Sequence, residues 1–294
     1  MFKNKIRGFL LIIIALLFLF QEKIIFSEEF SKTSECSSLP GEKKELAEKI
    51  MNSNYLYDCC DGTISSCLKE KKKCKLAYRL KEQVCKMVSK GKSQEEIESE
   101  LMRRAKSMMP KAKTYNIDTS GIDTWAGDKN SKVVLVAYVC ARCPFCAKII
   151  PKVYKAVTEG KLKGKVKVYV KIFPIKSHPG SAEGGVALAS AGKLGKFWQL
   201  LLKLYEKFDK FKVENLPDLA VEAGLDKEKF KEEMNKAETK NIVVESKKEG
   251  LRNEVEGTPT FFINGKKYRA DQSIESIIDV LEEEYDRVTG NIYM

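Results

Sequence analysis

The chain places Cys143-Pro144-Phe145-Cys146 just after the apolar, largely β-branched run Val133-Val134-Leu135-Val136-Ala137-Tyr138-Val139 and just before a stretch of helical periodicity. This order constrains the fold more than any other feature. The run reads as a buried strand, and the cysteine pair then marks the point where strand gives way to helix. Cys143 falls at the N-cap, where unpaired backbone N–H groups and the positive end of the helix dipole favour a thiolate, and Pro144 suits the first helical position. Cys146 lies one turn on, within disulfide reach. The pattern predicts an exposed, activated sulfur at 143 and a lower partner at 146 that resolves a mixed disulfide, so the chemistry it implies is thiol–disulfide exchange.

Two other readings of these cysteines compete. Half of a zinc site or a plain structural disulfide has the same spacing, and Cys140-Ala141-Arg142-Cys143-Pro144-Phe145-Cys146 resembles the start of an iron–sulfur run. A metal site needs more ligands than the chain offers here. His178 is the single histidine, there is no C-x-x-C outside the Cys140–Cys146 run, and no fourth cysteine follows three residues after Cys146. No metal and no cofactor are therefore expected.

The first residues carry Lys3, Lys5 and Arg7 ahead of the apolar run from Phe9 to Phe20, the charge order and length of a secretory leader. The run is shorter than the ~20 residues of a membrane-spanning helix. Residues 1–27 are thus read as a signal peptide, with retention as an N-terminal anchor the alternative that Ile24-Ile25-Phe26 leaves open. The formal net charge is +12, of which Lys3, Lys5, Arg7 and Lys23 against Glu22 place +3 in that leader. The remainder is spread over Lys/Glu-mixed helical faces without an arginine–aromatic stripe, which argues against a nucleic-acid partner. Nine cysteines in an exported chain imply an oxidising compartment, most simply the bacterial periplasm.

Six of those cysteines, Cys36, Cys59, Cys60, Cys67, Cys74 and Cys85, lie in a front module over residues 36–110 that reads as a small helical bundle. Leu76, Leu80, Val84 and Val88 form one stripe, Gly91 stops that helix, and Ser93 with Glu96 forms a capping box for the next. On one continuous helix Cys74 and Cys85 would stand about 16 Å apart, too far for a bond, so they are expected to pair elsewhere. Adjacent Cys59 and Cys60 need separate partners, and the connectivity stays open. Structural staple, auxiliary redox relay and partner-docking module are the roles open to this module.

The back module, residues 111–294, orders its elements as strand, strand, helix, strand, a long helical stretch over about 181–256, two strands and a helix. Pro144–Thr158 is the first helix, Val166–Phe173 the third strand, and Asn264-Gly265 a hairpin turn after Thr260-Phe261-Phe262-Ile263. Ile274–Val288 supplies the last helix, with Ile277, Ile278, Leu281 and Tyr285 expected inward. Cys140, at the end of a buried strand, is expected to be a free, buried thiol, and His178 a loop residue.

On these residues the back module resembles the thioredoxin superfamily, within it the DsbA-like and DsbG-like thiol–disulfide oxidoreductases. Cys143-Pro144-Phe145-Cys146 after the second strand, Gly257-Thr258-Pro259-Thr260 before the hairpin, and Gly195-Lys196-Phe197-Trp198 carry the resemblance. It implies an α/β thioredoxin fold with a helical insertion, preceded by a small disulfide-rich helical domain. It also implies that Pro259 is cis and that its loop faces Cys143, so that Thr258 offers backbone groups to a substrate peptide. Phe145 departs from the histidine of DsbA, which implies a weaker acid at Cys143; Arg142 and Pro144 are the other residues expected to tune it. The front stretch Tyr57-Asp58-Cys59-Cys60-Asp61-Gly62-Thr63, with Ala77-Tyr78-Arg79-Leu80 and Ser89–Ile97, resembles the helical domain of the cytochrome c maturation protein CcmH, with Cys59-Cys60 standing where that family has C-x-x-C.

The partners implied are substrate proteins with thiols or disulfides and a membrane or soluble redox partner, with the oligomeric state open. Disulfide donation in protein folding is the leading reading. A DsbG-like or DsbC-like isomerase or reductase, a reductant for cytochrome c maturation, and a non-catalytic metal-binding or docking protein stand beside it.

Overall fold

The computed structural model describes residues 35–294, and the leader expected over 1–27 lies outside them. Two compact units form: one of residues 35–56, 61–73 and 77–98, the other of 57–60, 74–76 and 99–294.

The first unit is helical. Helix α1 (Gly41–Ser53) is followed by the short α2 (Ile64–Cys67), whose first turn is capped by the Thr63 hydroxyl accepting from Ser66 N–H. Helix α3 (Lys75–Ser89) ends at a turn in which Gly91 takes φ +75°, a conformation open to glycine at little cost. Helix α4 (Gln94–Met108) opens on the expected capping box: Glu96 N–H donates to Ser93 Oγ at 3.2 Å, and Ser93 N–H to Glu96 Oε2 at 2.9 Å. Ile50, Ile64, Leu80, Val84, Val88 and Ile97 are among the buried aliphatic positions of this unit. A Cys36–Cys85 disulfide, with Cα atoms 5.1 Å apart, ties the segment before α1 to α3.

The second unit is built on a five-stranded sheet. Its strands are β1 (Trp125–Gly127), β2 (Val133–Val139), β3 (Val166–Ile172), β4 (Thr260–Ile263) and β5 (Lys266–Tyr268), in the spatial order β1-β3-β2-β4-β5. Strands β2 and β3 are parallel, joined through helix α5 (Pro144–Thr158), and every other pairing is antiparallel. As the central strand, β2 is buried on both faces, which explains its unbroken apolar run. Leu135, Ala137 and Val139 belong to the main core with Ile150 and Val153 of α5, whereas Val136 and Tyr138 pack on the other face with Phe173, Val255 and Phe262. Asn264 and Gly265, both at positive φ, make the tight turn between β4 and β5.

Between β3 and β4 the chain inserts α6 (Ser181–Lys193), α7 (Phe197–Glu206), α8 (Leu216–Glu222), α9 (Lys227–Asn235) and α10 (Ala237–Arg252). Helix α6 approaches the active-site turn closely: a Cβ on Gly184 would stand 2.8 Å from the Ala141 side chain. Phe197 and Trp198 are buried, and the Trp198 indole N–H donates to Trp125 O at 2.9 Å, tying α7 to edge strand β1.

The last helix, α11 (Ile274–Val288), departs from its expected face. Ile277 and Leu281 are buried, Ile278 and Tyr285 only partly, and the carboxylates Glu283 and Glu284 are buried instead. Each meets a cation, which is what permits the burial. Arg104, 2 % exposed, pairs with Glu283 and with Asp279, both at 2.7 Å, and Lys266 pairs with Glu284 at 2.9 Å. Arg287 joins Glu283, Glu284 and Asp58. The chain from Ser99 onward, Arg104 included, falls in the second unit.

A Cys59–Cys74 disulfide lies in this unit, with Cα atoms 6.0 Å apart, and Cys60 and Cys67 are disulfide-bonded as well. Among the described residues the free cysteines are Cys140, Cys143 and Cys146, and no helix is long and apolar enough to cross a membrane.

Candidate active site

Strand β2 ends at Val139, and from Cys140 the chain makes a turn closed by Cys143 N–H donating to Cys140 O at 3.1 Å. The turn delivers Cys143 to the N-cap of α5 with extended backbone (φ −94°, ψ 120°), and Pro144 follows as the first helical residue. A proline there sacrifices no hydrogen bond, since its missing N–H would have had no intrahelical acceptor. Cys146 sits in the same first turn and is fully buried. The Thr258–Pro259 peptide is cis, and its loop meets Cys143: the thiol hydrogen reaches Thr258 O at an Sγ–O distance of 3.1 Å.

The sequence led to an exposed sulfur at 143, and this is corrected: Cys143 is 1 % exposed, because the Thr258 carbonyl closes over the helix start. Activation persists under that cover. The Cys143 thiol is pulled down from 9.0 to about 5, first by a hydrogen bond from Cys146 and against the opposing effect of burial. Thr258 and the backbone N–H groups of Cys146 and Phe145 add to the lowering. Thr258 Oγ1 is buried with no other hydrogen-bond partner, leaving it available to the thiolate. Cys146 moves the opposite way, pushed far up by burial first, then by its hydrogen bond to Cys143 and the charge there. One sulfur is therefore held as a thiolate near neutral pH and its partner as a protonated donor.

Phe145 contributes through its backbone, and its ring is 68 % exposed. The thiolate is thus held without the imidazole whose absence implied a weaker acid. Arg142, the other residue expected to act by charge, is engaged by two rings. Its guanidinium donates to Phe208 O at 2.8 Å and lies 5.0 and 4.6 Å from the ring centres of Phe208 and Phe211, a stacked position that engages its donors elsewhere.

Two neighbours escaped sequence reasoning. His178 Nδ1 stands 3.5 Å from Cys140 Sγ, which also accepts from Arg142 N–H at 3.4 Å; burial pushes the Cys140 thiol up. Tyr205 of α7, 5 % exposed, donates its hydroxyl to Cys140 O at 3.2 Å and comes within hydrogen-bonding reach of Cys146. Neither lies in a motif: the turn after β3 brings His178 to Cys140, and the helical insertion, folded back, brings Tyr205.

Beside Cys143 and Thr258 runs a groove of about 490 Å³. Phe145, Ile149, Pro259 and Ile274 give it apolar surface, and Lys148 and Lys152, one turn apart on α5, line it with positive charge.

With the site described, its relatives can be placed. A protein-family model described as Thioredoxin matches residues 119–283, more than half of the chain. A Na(+)/H(+) antiporter NhaA 1 of Mycobacterium sp. (strain KMS) is 29 % identical over 160 residues, covering 53 % of this chain and 26 % of the relative. The chain thus spans about a quarter of the length of such curated relatives. A Rickettsia typhi protein named as a protein-disulfide oxidoreductase is 23 % identical over 195 residues, 63 % of this chain and 71 % of the relative. Among solved structures, oxidised BdbD from Bacillus subtilis aligns with TM-score 0.48 and 23 % identity, over 58 % of this chain and 100 % of that one. The matched segment holds the whole strand-to-helix junction that carries Cys143 and Cys146, and the chain belongs to the thioredoxin family.

Proposed function

We propose that this chain is an exported, DsbA-like thiol–disulfide oxidoreductase that donates a Cys143–Cys146 disulfide to substrate protein thiols. The observation that carries the reading is the opposed pair of sulfurs: a helix-capping thiolate held at about 5 above a buried thiol pushed far up. A substrate thiolate attacks Cys143 Sγ, the intramolecular disulfide breaks, and Cys146 leaves to be protonated in its buried site. A second substrate thiolate then attacks the substrate sulfur of the mixed disulfide and expels Cys143. A low-pKa thiolate leaves fast and stabilises the reduced protein, which favours donation over reduction.

Export is supported by the charged and apolar order of the first residues and by disulfides in the front unit. The front cysteines act in this reading as staples, and Thr258, Pro259 and the adjoining groove hold the substrate peptide. A membrane or soluble partner reoxidises the pair. In a dithiol-peptide oxidation assay Cys143→Ser is expected to be inactive, and Cys146→Ala to accumulate mixed disulfides. Full activity of the Cys143 variant would sink the assignment. Equilibration of the pair with glutathione fixes the direction, and a strongly reducing potential would favour the reductase or isomerase reading.

A further inference from the structure

Resolution of a mixed disulfide requires Cys146 to give up its proton inside a site where burial and Cys143 both favour the protonated form. The β2 residues that face the same core, Leu135, Ala137 and Val139, carry no acid or base. The titratable groups that meet this sulfur are Cys143 on its own helix, Cys140 at the end of β2, and Tyr205 from α7. His178 and Lys247 are associated with Cys140, and Arg142 is engaged with Phe208 and Phe211. The Thr258 hydroxyl, from the cis-proline loop, also reaches this sulfur and lowers its thiol, so Tyr205 is the titratable group outside the cysteines, and one of two hydroxyls, that can answer charge on Cys146.

Its placement suits that task. The Tyr205 hydroxyl donates to Cys140 O at 3.2 Å, yet that carbonyl already accepts Cys143 N–H at 3.1 Å, so the hydroxyl can turn away without orphaning it. Burial and the neighbouring sulfurs push the phenol well above its ordinary value, so it stays protonated and acts as a donor, not a base.

We propose that Tyr205, carried by the helical insertion, is a hydrogen-bond donor that stabilises the Cys146 thiolate whenever that sulfur attacks or is expelled. The inference rests on the exchange reaction proposed above. Starting from a mixed disulfide at Cys143, Cys146 releases its proton to solvent and the Tyr205 hydroxyl turns to it. The thiolate attacks Cys143 Sγ, forming the Cys143–Cys146 bond as the Cys143–substrate bond breaks. The electron pair leaves on the substrate sulfur, which takes up a proton: the cysteine pair is oxidised and the substrate sulfur reduced. In the donating direction the same hydroxyl receives Cys146 as leaving group.

The test uses the full chain carrying glutathione in mixed disulfide with Cys143, and follows glutathione release against pH. Tyr205→Phe keeps the ring and is expected to slow release about tenfold or more, the scale of a lost hydrogen bond to a charged group. Its pH profile should also move to higher pH, which a merely structural role would not produce. A folded Tyr205→Phe protein with the wild-type rate and profile overturns the proposal. Should that variant unfold, fluorotyrosine at position 205 keeps the hydroxyl as a stronger donor; movement of the profile to lower pH supports the proposal, and no movement overturns it. Cys146→Ala separates the two readings: retention of glutathione upholds the exchange reaction, whereas release at the wild-type rate overturns that reaction itself.

Discussion

Replacing Cys146 with alanine removes the largest single cause of the low Cys143 pKa, the hydrogen bond from the buried thiol. A hydrogen bond to a charged group contributes about 1.5–3 kcal/mol, and one pKa unit corresponds to about 1.4 kcal/mol. The Cys143 thiol should therefore rise from about 5 by roughly 1–2 units, and stop short of 9.0 because Thr258 and the backbone N–H groups of the helix start remain. At pH 6 the wild-type sulfur is mostly thiolate, whereas the variant sulfur is about half to nine-tenths protonated. The rate of alkylation by iodoacetamide as a function of pH reads this directly, and Cys140 does not intrude at acid pH because burial raises its own thiol. The reasoning fails if wild-type Cys143 titrates near 9.0, or if the variant keeps a midpoint of about 5.

Because the folded pKa of Cys143 lies below its unfolded value, the thiolate stabilises the reduced folded protein at alkaline pH, and that contribution shrinks from about pH 9 and is gone below about 5. Denaturation midpoints of reduced wild type should accordingly lose more between pH 8 and 5 than those of reduced Cys143→Ser; equal losses would contradict the shift. Cys140→Ala should retain most dithiol oxidation activity, since this free thiol is buried and protonated, and a large loss would reveal a third working sulfur. Arg104→Met should destabilise the second unit by about 3 kcal/mol in chemical denaturation, because it strands the buried Glu283 beside fewer positive charges, and a change near zero would refute the network.

The parts of this fold that could be read in advance are those specified by neighbours in sequence. A central strand needs apolar residues on both faces, so Val133–Val139 announced itself, and the cysteine and proline that follow could only begin a helix. Asn264-Gly265 demanded a tight turn, and Ser93 with Glu96 a helix start, for equally local reasons. What stayed hidden was environment. Glu283 lies off the face of Ile277, Ile278, Leu281 and Tyr285 expected inward, and becomes core because Arg104, 179 residues earlier, meets it. Arg142 looked like a charge beside a thiolate until Phe208 and Phe211 offered a stacking surface 66 residues away and beyond.

The active site divides along the same line. The two sulfurs proposed to react are three residues apart at the start of one helix, where spacing points to them, and the first cause of the low Cys143 pKa is equally local, but further groups that adjust it arrive from distant segments. Thr258 covers Cys143 from 115 residues downstream, and Tyr205 reaches Cys140 from 65. The insertion that carries Tyr205 also brings α6 against the turn at Ala141, where Gly184 leaves no room for a larger side chain. A helical addition to the sheet thus does more than enlarge the core: by enclosing Cys146 it raises the energy of the thiolate the reaction needs, and by placing a hydroxyl there it offers that thiolate a partner. Since enclosure and hydroxyl come from the same helix, removing the whole insertion would change both at once, and only the loss of the single oxygen in Tyr205→Phe separates the two effects.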